Sequence, residues 1–380
     1  MIPTLTSNRA PWLLGVLPIL LAACVSAPRP AGPPTPAQAE APAEVVRETP
    51  APARELLLSA VGDIMLDGSA RALMVEHGYD YPFVHMRELF RDSQIVLGNL
   101  EGPLTGRGSA DPGKQYSFRS PPDAVAPALK RAGFNVVSLA NNHTLDYGVD
   151  GLADTMAALD AAGIAHAGAG MNLAAARRPA VLTIDGTRVA VLAYSLTLPE
   201  SFFAGRERPG TAYGHEQQVR ADVAAARAQA DIVIVSFHWG QEGKTTLREY
   251  QPRLGRAAID AGAQAVIGHH PHILQGVERY KDGVILYSLG NFAFGSYSPR
   301  SRDSVVAQLR FVDHRFHELT LVPINVHNFE VNFQPQVLPR DRADRVVAHL
   351  QELSAPHGTV LVNRDGVAQL TPIAAAAAGR

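Results

Sequence analysis

Residues 265–272 read Ala265-Val266-Ile267-Gly268-His269-His270-Pro271-His272, three apolar residues followed by a histidine-rich turn. A short apolar run of this kind is the mark of a buried strand in an α/β protein, and groups just past its carboxyl end line a ligand crevice. Neutral imidazole is a ligand for zinc, manganese or iron, and two rings one residue apart can face one ion or two from a single turn. Taken alone, the cluster also reads as a polar surface turn. What decides between the two is whether other strands end in the same way.

They do. From residue 55 onward, apolar runs at 56–61, 94–97, 135–139, 189–194, 232–237, 265–267 and 284–287 alternate with amphipathic stretches. Those stretches predict helices over 83–92, 123–132, 151–162, 216–229 and 247–261, several stopping at glycine, as at Gly133, Gly163 and Gly262. Strands interleaved with helices make an α/β fold. The run ending at Val61 is followed by Gly62-Asp63, and that ending at Leu97 by Gly98-Asn99-Leu100-Glu101. Leu139 leads into Ala140-Asn141-Asn142-His143, and Phe237 into His238-Trp239-Gly240-Gln241-Glu242. Parallel strands bring their carboxyl ends to one edge, so these groups can meet in one site. Singly, Asp63 or Asn142 fits a helix cap or a turn equally well; together with the histidines they form a metal-competent set.

The 380 residues suffice for one large α/β domain or two smaller ones. Lys plus Arg number 34 against 36 Asp plus Glu, so the net charge of -2 offers no long-range pull toward nucleic acid, and no nucleic-acid partner is expected. An anionic substrate must be held locally. Arg119, Arg206, Arg208, Lys244 and Arg248 are candidate clamps, with solvated surface charge as the default for each. Gly168-Ala169-Gly170 lacks a dinucleotide-binding context, and no Gly-x-Ser-x-Gly elbow occurs.

The single cysteine, Cys24, excludes an intramolecular disulfide. Arg9 precedes an apolar stretch at 12–21, too short for a comfortable bilayer span and read as a signal-peptide core. It runs into Leu21-Ala22-Ala23-Cys24, which resembles the bacterial lipobox, so Cys24 is the expected lipidation site at the end of a 1–24 signal segment. Residues 25–54 hold eight prolines and eight alanines, the composition of an extended tether. The expected order is signal, tether, one folded domain over 55–372 and a low-complexity tail at 373–380. This places a membrane-anchored lipoprotein in the bacterial cell envelope, at the periplasmic face, and Val25 after the cysteine leans toward the outer membrane.

Gly62-Asp63-Ile64-Met65, Asn99-Leu100-Glu101, Asn141-Asn142-His143 with Asp146 and Gly148, His238-Trp239-Gly240 with Glu242, the 268–272 cluster and Ser288-Leu289-Gly290-Asn291-Phe292 resemble the CapA family of poly-γ-glutamate capsule biosynthesis proteins. That family is similar to the calcineurin-like metallophosphoesterases. The resemblance implies an α/β/β/α sandwich with mixed sheets and a divalent metal centre holding Mn, Zn, Fe or Mg, one ion or two. It implies metal ligation by Asp63, Glu101, Asn142, His238, His270 and His272. His143 corresponds to the histidine that contacts substrate and helps protonate the leaving group, with Asp146 orienting its ring. Asn99, Glu242, His269 and Asn291 are expected to touch substrate or support the ligands. One position departs from the superfamily: Met65 stands where Asp-x-His has its histidine, and thioether is a poor ligand for such ions. The first metal is then left with Asp63, Glu101 and His272, with Glu242 or His269 as further candidates.

Three functions follow as expectations. The leading one is an envelope metal-dependent hydrolase-like protein acting on, or helping handle, an anionic polymer such as poly-γ-glutamate or a related wall component in its synthesis, export or processing. The second is a non-catalytic polymer-binding assembly factor working with capsule synthesis or export proteins. The third is a phosphoesterase with a small envelope substrate.

Overall fold

Runs that are apolar on both faces need cover on both faces, and the fold supplies it with two stacked sheets. In a computed structural model, residues 53–370 are described, together with Ala27 and Gly32. Those two apart, the expected signal segment with Cys24, the tether up to residue 52 and the tail lie outside the described residues. Among the described residues, no helix is long and apolar enough to cross a membrane.

The first sheet has ten strands, and the second has six. Glu55–Met65, Ile95–Leu100, Val136–Ser138 and Ala165–Ala167 lie side by side and parallel in the first sheet, which then continues antiparallel through Asp303–Val312 and Arg315–Asn325. The second is built on the parallel strands Thr187–Ser195, Ile232–His238, Ala265–His269 and Gly283–Leu286, with antiparallel strands at both edges.

Successive side chains of a strand point to opposite faces, and here each face has its own core. Leu58, Leu97 and Val136 of the first sheet meet Val191, Ile234 and Ile267 of the second in an inner layer. On the outer side of the first sheet, Val96 and Val137 pack beneath Val125, Leu129, Leu152 and Leu159 of the helices Pro122–Arg131 and Gly148–Ala161. Val233 and Val266 lie under Val219, Val223, Leu254 and Ala258 of Glu216–Arg227 and Tyr250–Asp260. This is the expected α/β/β/α sandwich with mixed sheets.

Register then assembles the site. Asp63 pairs with Asn99 on one side and with Asn291 on the other, while His238 pairs with His269 across the second sheet. Two glycines permit the close approach. A Cβ on Gly62 would lie 1.9 Å from the Gly290 carbonyl oxygen, and one on Gly268 would lie 2.0 Å from that of Tyr287. No larger residue fits either place.

Two expectations need correction. The helix over 83–92 is instead a 3-10 turn at Tyr81–Phe83 and a short helix at Arg87–Phe90. Phe83, Met86 and Phe90 are buried as the spacing required, but Met86 and Leu89 donate to carbonyls three residues back, giving a tighter winding through the junction. Several strands also run farther than their apolar cores, so Asp63, Asn99, His238 and His269 are strand residues held by ladder hydrogen bonds rather than loop residues.

Candidate metal centre

Each donor is placed by the end of a strand. Asp63 lies near the end of Glu55–Met65, and its N–H donates to the Gly290 carbonyl at 3.1 Å. Glu101 directly follows Ile95–Leu100 and is anchored by its own N–H on the Ile64 carbonyl at 2.8 Å. His238 closes its strand, as does His269. His270 and His272 follow in a turn with φ of 95° and 58°. Positive φ costs an ordinary side chain on the order of 1–3 kcal/mol, so the surrounding packing must hold both rings in place.

Three groups of donor atoms lie within 4.8 Å of one another: Asp63, Glu101 and His272; Glu101, His238 and His270; and Glu242, His270 and His272. Glu101 joins the first two. Its Oε1 faces Nε2 of His238 at 3.8 Å, of His272 at 3.8 Å and of His143 at 4.0 Å. These separations are too long for hydrogen bonds, and they suit donors around a shared ion with ligand distances of roughly 2.0–2.2 Å. The Asn142 Oδ1 lies 2.8 Å from His238 Nε2, on the second group. His272 Nδ1 stands 3.1 Å from Asp63 Oδ2 and 2.9 Å from Asn291 Oδ1, on the first. Asn99 donates its amide to Asp63 Oδ1 at 2.9 Å and to Glu101 Oε2 at 3.3 Å, tying the two carboxylates together.

Whether the set fits a metal can be judged from its unsatisfied atoms. Glu101 Oε1, His270 Nδ1 and both ring nitrogens of His269 are buried without a hydrogen-bond partner. A buried polar atom left unpaired costs about 1–3 kcal/mol, and folded proteins rarely leave several together. Carboxylate oxygen and imidazole nitrogen are the donors that zinc, manganese and iron take, so the residues fit a divalent ion. His269, with Nδ1 3.4 Å from Asp63 Oδ1, stands as the candidate for the place that Met65 leaves unfilled. Met65 itself is turned to structure, its sulfur accepting the Asp67 N–H at 3.3 Å.

The local field is set by burial and by two carboxylates packed side by side among imidazoles. Burial and the Asp63 charge push the Glu101 carboxyl well above its usual range. Burial would raise Asp63 too, but the close contacts and charge of His269 and His272 outweigh it and hold Asp63 well below. Burial opposes a charge on His272, yet Glu101 and Asp63 overcome it and raise that ring to about 10. Burial together with the His272 charge drops His270 to about 3, and burial with His270 lowers His238 well below its normal value.

His143 sits on the rim. Its Nδ1 lies 2.7 Å from Asp146 Oδ2, which leaves Nε2 to face the centre. Burial lowers the ring's pKa, against the opposing pull of Asp146. Asp146 has no exposure, and all its neighbours donate: the Phe118 N–H at 2.8 Å, the Lys114 ammonium and His143. Lys114 also donates to the Asn142 carbonyl, so one side chain bridges a candidate ligand and the carboxylate behind His143. A cavity of about 360 Å³ opens here, lined by Lys114, Tyr116, Asn142, His143, Leu198 and Glu242.

All the described candidates therefore converge. Asp63, Glu101, Asn142, His238, His270 and His272 supply the donor atoms, with Asn99, His269 and Asn291 against them and Glu242 at the mouth. Trp239 is a packing residue, fully buried, stacked on Phe237 and donating its indole N–H to the Tyr287 carbonyl at 2.9 Å. Arg119 lies over the Tyr147 ring, 4.5 Å from its centroid. Sequence reasoning missed Lys114 and Phe118, which lie in a loop without periodicity. It also missed the work of Asn141, whose amide donates to Asn99 Oδ1 and the Leu100 carbonyl while its oxygen accepts the His143 N–H.

Comparison with known proteins bears on this site directly. Residues 57–296, which contain every described candidate from Asp63 to Asn291, match the family described as bacterial capsule synthesis protein PGA_cap. The chain is 33% identical to the capsule biosynthesis protein CapA of Bacillus anthracis over 77% of this chain and 72% of that one. It is 34% identical to the PGA biosynthesis protein CapA of Bacillus subtilis over 72% of each. Among solved structures, the calcineurin-like phosphoesterase YfkN of Bacillus subtilis aligns over 75% of this chain and 89% of that chain, with TM-score 0.37 and 12% identity. The chain belongs to the bacterial capsule synthesis protein family.

Proposed function

We propose that this protein is a metal-dependent hydrolase of the cell envelope that acts on poly-γ-glutamate or a related anionic polymer during capsule synthesis. The observation that carries the reading is Glu101 Oε1, buried and unpartnered, with the Nε2 atoms of three histidines 3.8–4.0 Å away. A divalent ion held by Asp63, Glu101, Asn142, His238, His270 and His272 would supply Lewis acidity, acidifying water and neutralising charge that grows on a carbonyl or phosphoryl oxygen. The chain's own residues do the rest. His143, oriented through Nδ1 by Asp146, presents Nε2 for proton transfer to the leaving group. Lys114 fixes Asp146 and the Asn142 backbone together, so that the ring and the ligand keep their mutual placement. The names of the CapA relatives support the capsule polymer as substrate. Lipid attachment at Cys24 would hold the domain at the membrane, and a Cys24→Ala chain released from the membrane fraction is the expected outcome.

The test is metal analysis of the purified protein followed by turnover assays on γ-linked polyglutamate and on a model phosphodiester. Stoichiometric metal and cleavage of the polymer, lost in His143→Ala with metal retained, is the expected result. Cleavage of the phosphodiester alone would move the substrate to a small envelope ester. Met65 in place of a ligand favours a second reading, a non-catalytic polymer-binding assembly factor. Polymer binding by a protein that takes up no metal would establish it.

A further inference from the structure

A second cavity, of about 420 Å³, borders the same segments that build the centre. Ile273 in its lining directly follows His272, and Thr245 lies three residues past Glu242. The rest comes from the carboxyl-terminal part of the chain: Arg300 and Arg302 before and at the edge of the strand Asp303–Val312, and Arg342 and Arg345 on the helix Arg340–Ser354. Those four arginines lie beyond residue 296, outside the stretch that matches the family.

Their partners are unequal. Arg342 holds Asp303 at 3.0 Å and Glu330 at 2.6 Å, and Arg302 holds Glu330 at 3.1 Å. Arg345 has only an exposed contact to Asp341 at 3.7 Å, a pairing of little worth. Among the described residues, Arg300 has no side-chain partner, yet it is not splayed at random. A Cβ on Gly243 would lie 3.2 Å from its Nη1, so the guanidinium packs against the loop that carries Glu242. Two guanidinium groups from different elements therefore reach one cavity with donors to spare.

We propose that this cavity is a carboxylate-binding site for an extended stretch of a γ-linked glutamate polymer, held beside the metal centre. The inference rests on the polymer reading given above. Guanidinium forks match planar carboxylates two bonds at a time, and the cavity is furnished with arginine. The pairing already occurs at its edge, where Arg342 holds the lining carboxylate Asp303, as a ligand's carboxylates would be held by Arg300 and Arg345. Apolar Ile273 and Val346 suit the two methylenes that, with an amide, separate successive carboxylates in such a chain. The volume lies within the roughly 300–1,000 Å³ of ordinary ligand sites, which is room for a short stretch of polymer.

The experiment is fluorescence anisotropy with the full chain and a labelled γ-linked glutamate oligomer, in chelator so that metal contributes nothing. Wild type should bind the oligomer in chelator, because the cavity does not need a metal ion. Arg300→Ala/Arg345→Ala should bind about tenfold more weakly or worse, with an unchanged melting temperature, and Arg300→Lys/Arg345→Lys should fall between. Equal binding by wild type and the double alanine variant would overturn the proposal. So would no binding by wild type, or equally tight binding of a glycerol-phosphate polymer that the same variant loses. Turnover and metal content are read separately, so an inactive or metal-free protein leaves this comparison intact.

Discussion

Two glutamates lie at comparable depth in this molecule and are treated in opposite ways. Glu278, 3% exposed, receives the Arg256 guanidinium at 2.8 Å and the Tyr287 hydroxyl. Glu101, 0% exposed, is left with one oxygen facing a ring of imidazoles and no donor. A buried carboxylate is costly unless it is paired, so a fold that pairs the first and not the second has reserved the second for something else. What separates the two carboxylates is therefore completeness of partners, not burial. Asp146 extends the rule. It stands beside the centre but is fully partnered.

The strongest break of this comparison is Glu101→Gln. The variant should hold metal far more weakly, since Glu101 belongs to two of the three donor groups, and metal analysis after dialysis reads this directly. Stripped of metal, it should melt no lower than the stripped parent, because an unpartnered buried acid beside Asp63 has been removed. A large fall in melting temperature would make Glu101 a structural residue like Glu278.

Lys114→Met tests the fully partnered carboxylate. It takes the ammonium from Asp146 and the donor from the Asn142 carbonyl, and removing one partner of a buried pair costs about 3–5 kcal/mol. Chemical denaturation should show that loss, and kcat should fall with it. Lys114→Arg should restore much of the stability; equal stability of Lys114→Met and wild type would refute the bridging role. On the structural side, Tyr287→Phe removes one hydrogen bond to a charged acceptor. It should cost about 1.5–3 kcal/mol with metal content and turnover unchanged.

The same distinction explains what the chain disclosed in advance. The donors were legible because each sits at the carboxyl end of an apolar run, and sheet geometry gathers such ends without any knowledge of their partners. Lys114 was not legible: Asp111-Pro112-Gly113-Lys114 is a turn-rich stretch, and Asp146 is brought to it only by tertiary folding. The hairpin of Asp303–Val312 and Arg315–Asn325 was missed as well. It mixes buried with half-exposed positions, including Arg310 and Glu318 paired across the two strands, and so lacks the unbroken apolar run that marks a strand buried on both faces. The segment 83–92 carried the right buried residues and the wrong winding, since apolar spacing reports a face and not the hydrogen-bond pattern beneath it. Met65 was readable as a missing ligand, but that His269 lies against Asp63 required the register of both sheets.

The smallest effect is a pH slope, and its sign follows from His272. In metal-free protein this ring is raised to about 10 from its ordinary 6.5, so its stabilising contribution is complete below pH 6.5 and is lost as pH rises toward 10. Glu101, also raised, acts in the same direction, from a window that opens near pH 4.5. His238 and His270, lowered by burial, add a loss only as pH falls below 6.5, and Asp63, lowered, adds one only in stronger acid. Between pH 7 and 8 the chelated protein should therefore lose on the order of 1 kcal/mol of stability through the His272 proton. Saturating divalent metal displaces that proton and should flatten the slope, with affinity rising as pH rises and protons released on binding. Melting curves in chelator and in metal across this interval read both halves. A chelated slope that persists unchanged in His272→Gln would place the proton elsewhere. A slope abolished by His272→Gln but not by metal would mean that the imidazole ring serves the fold, as Glu278 does, and not the ion.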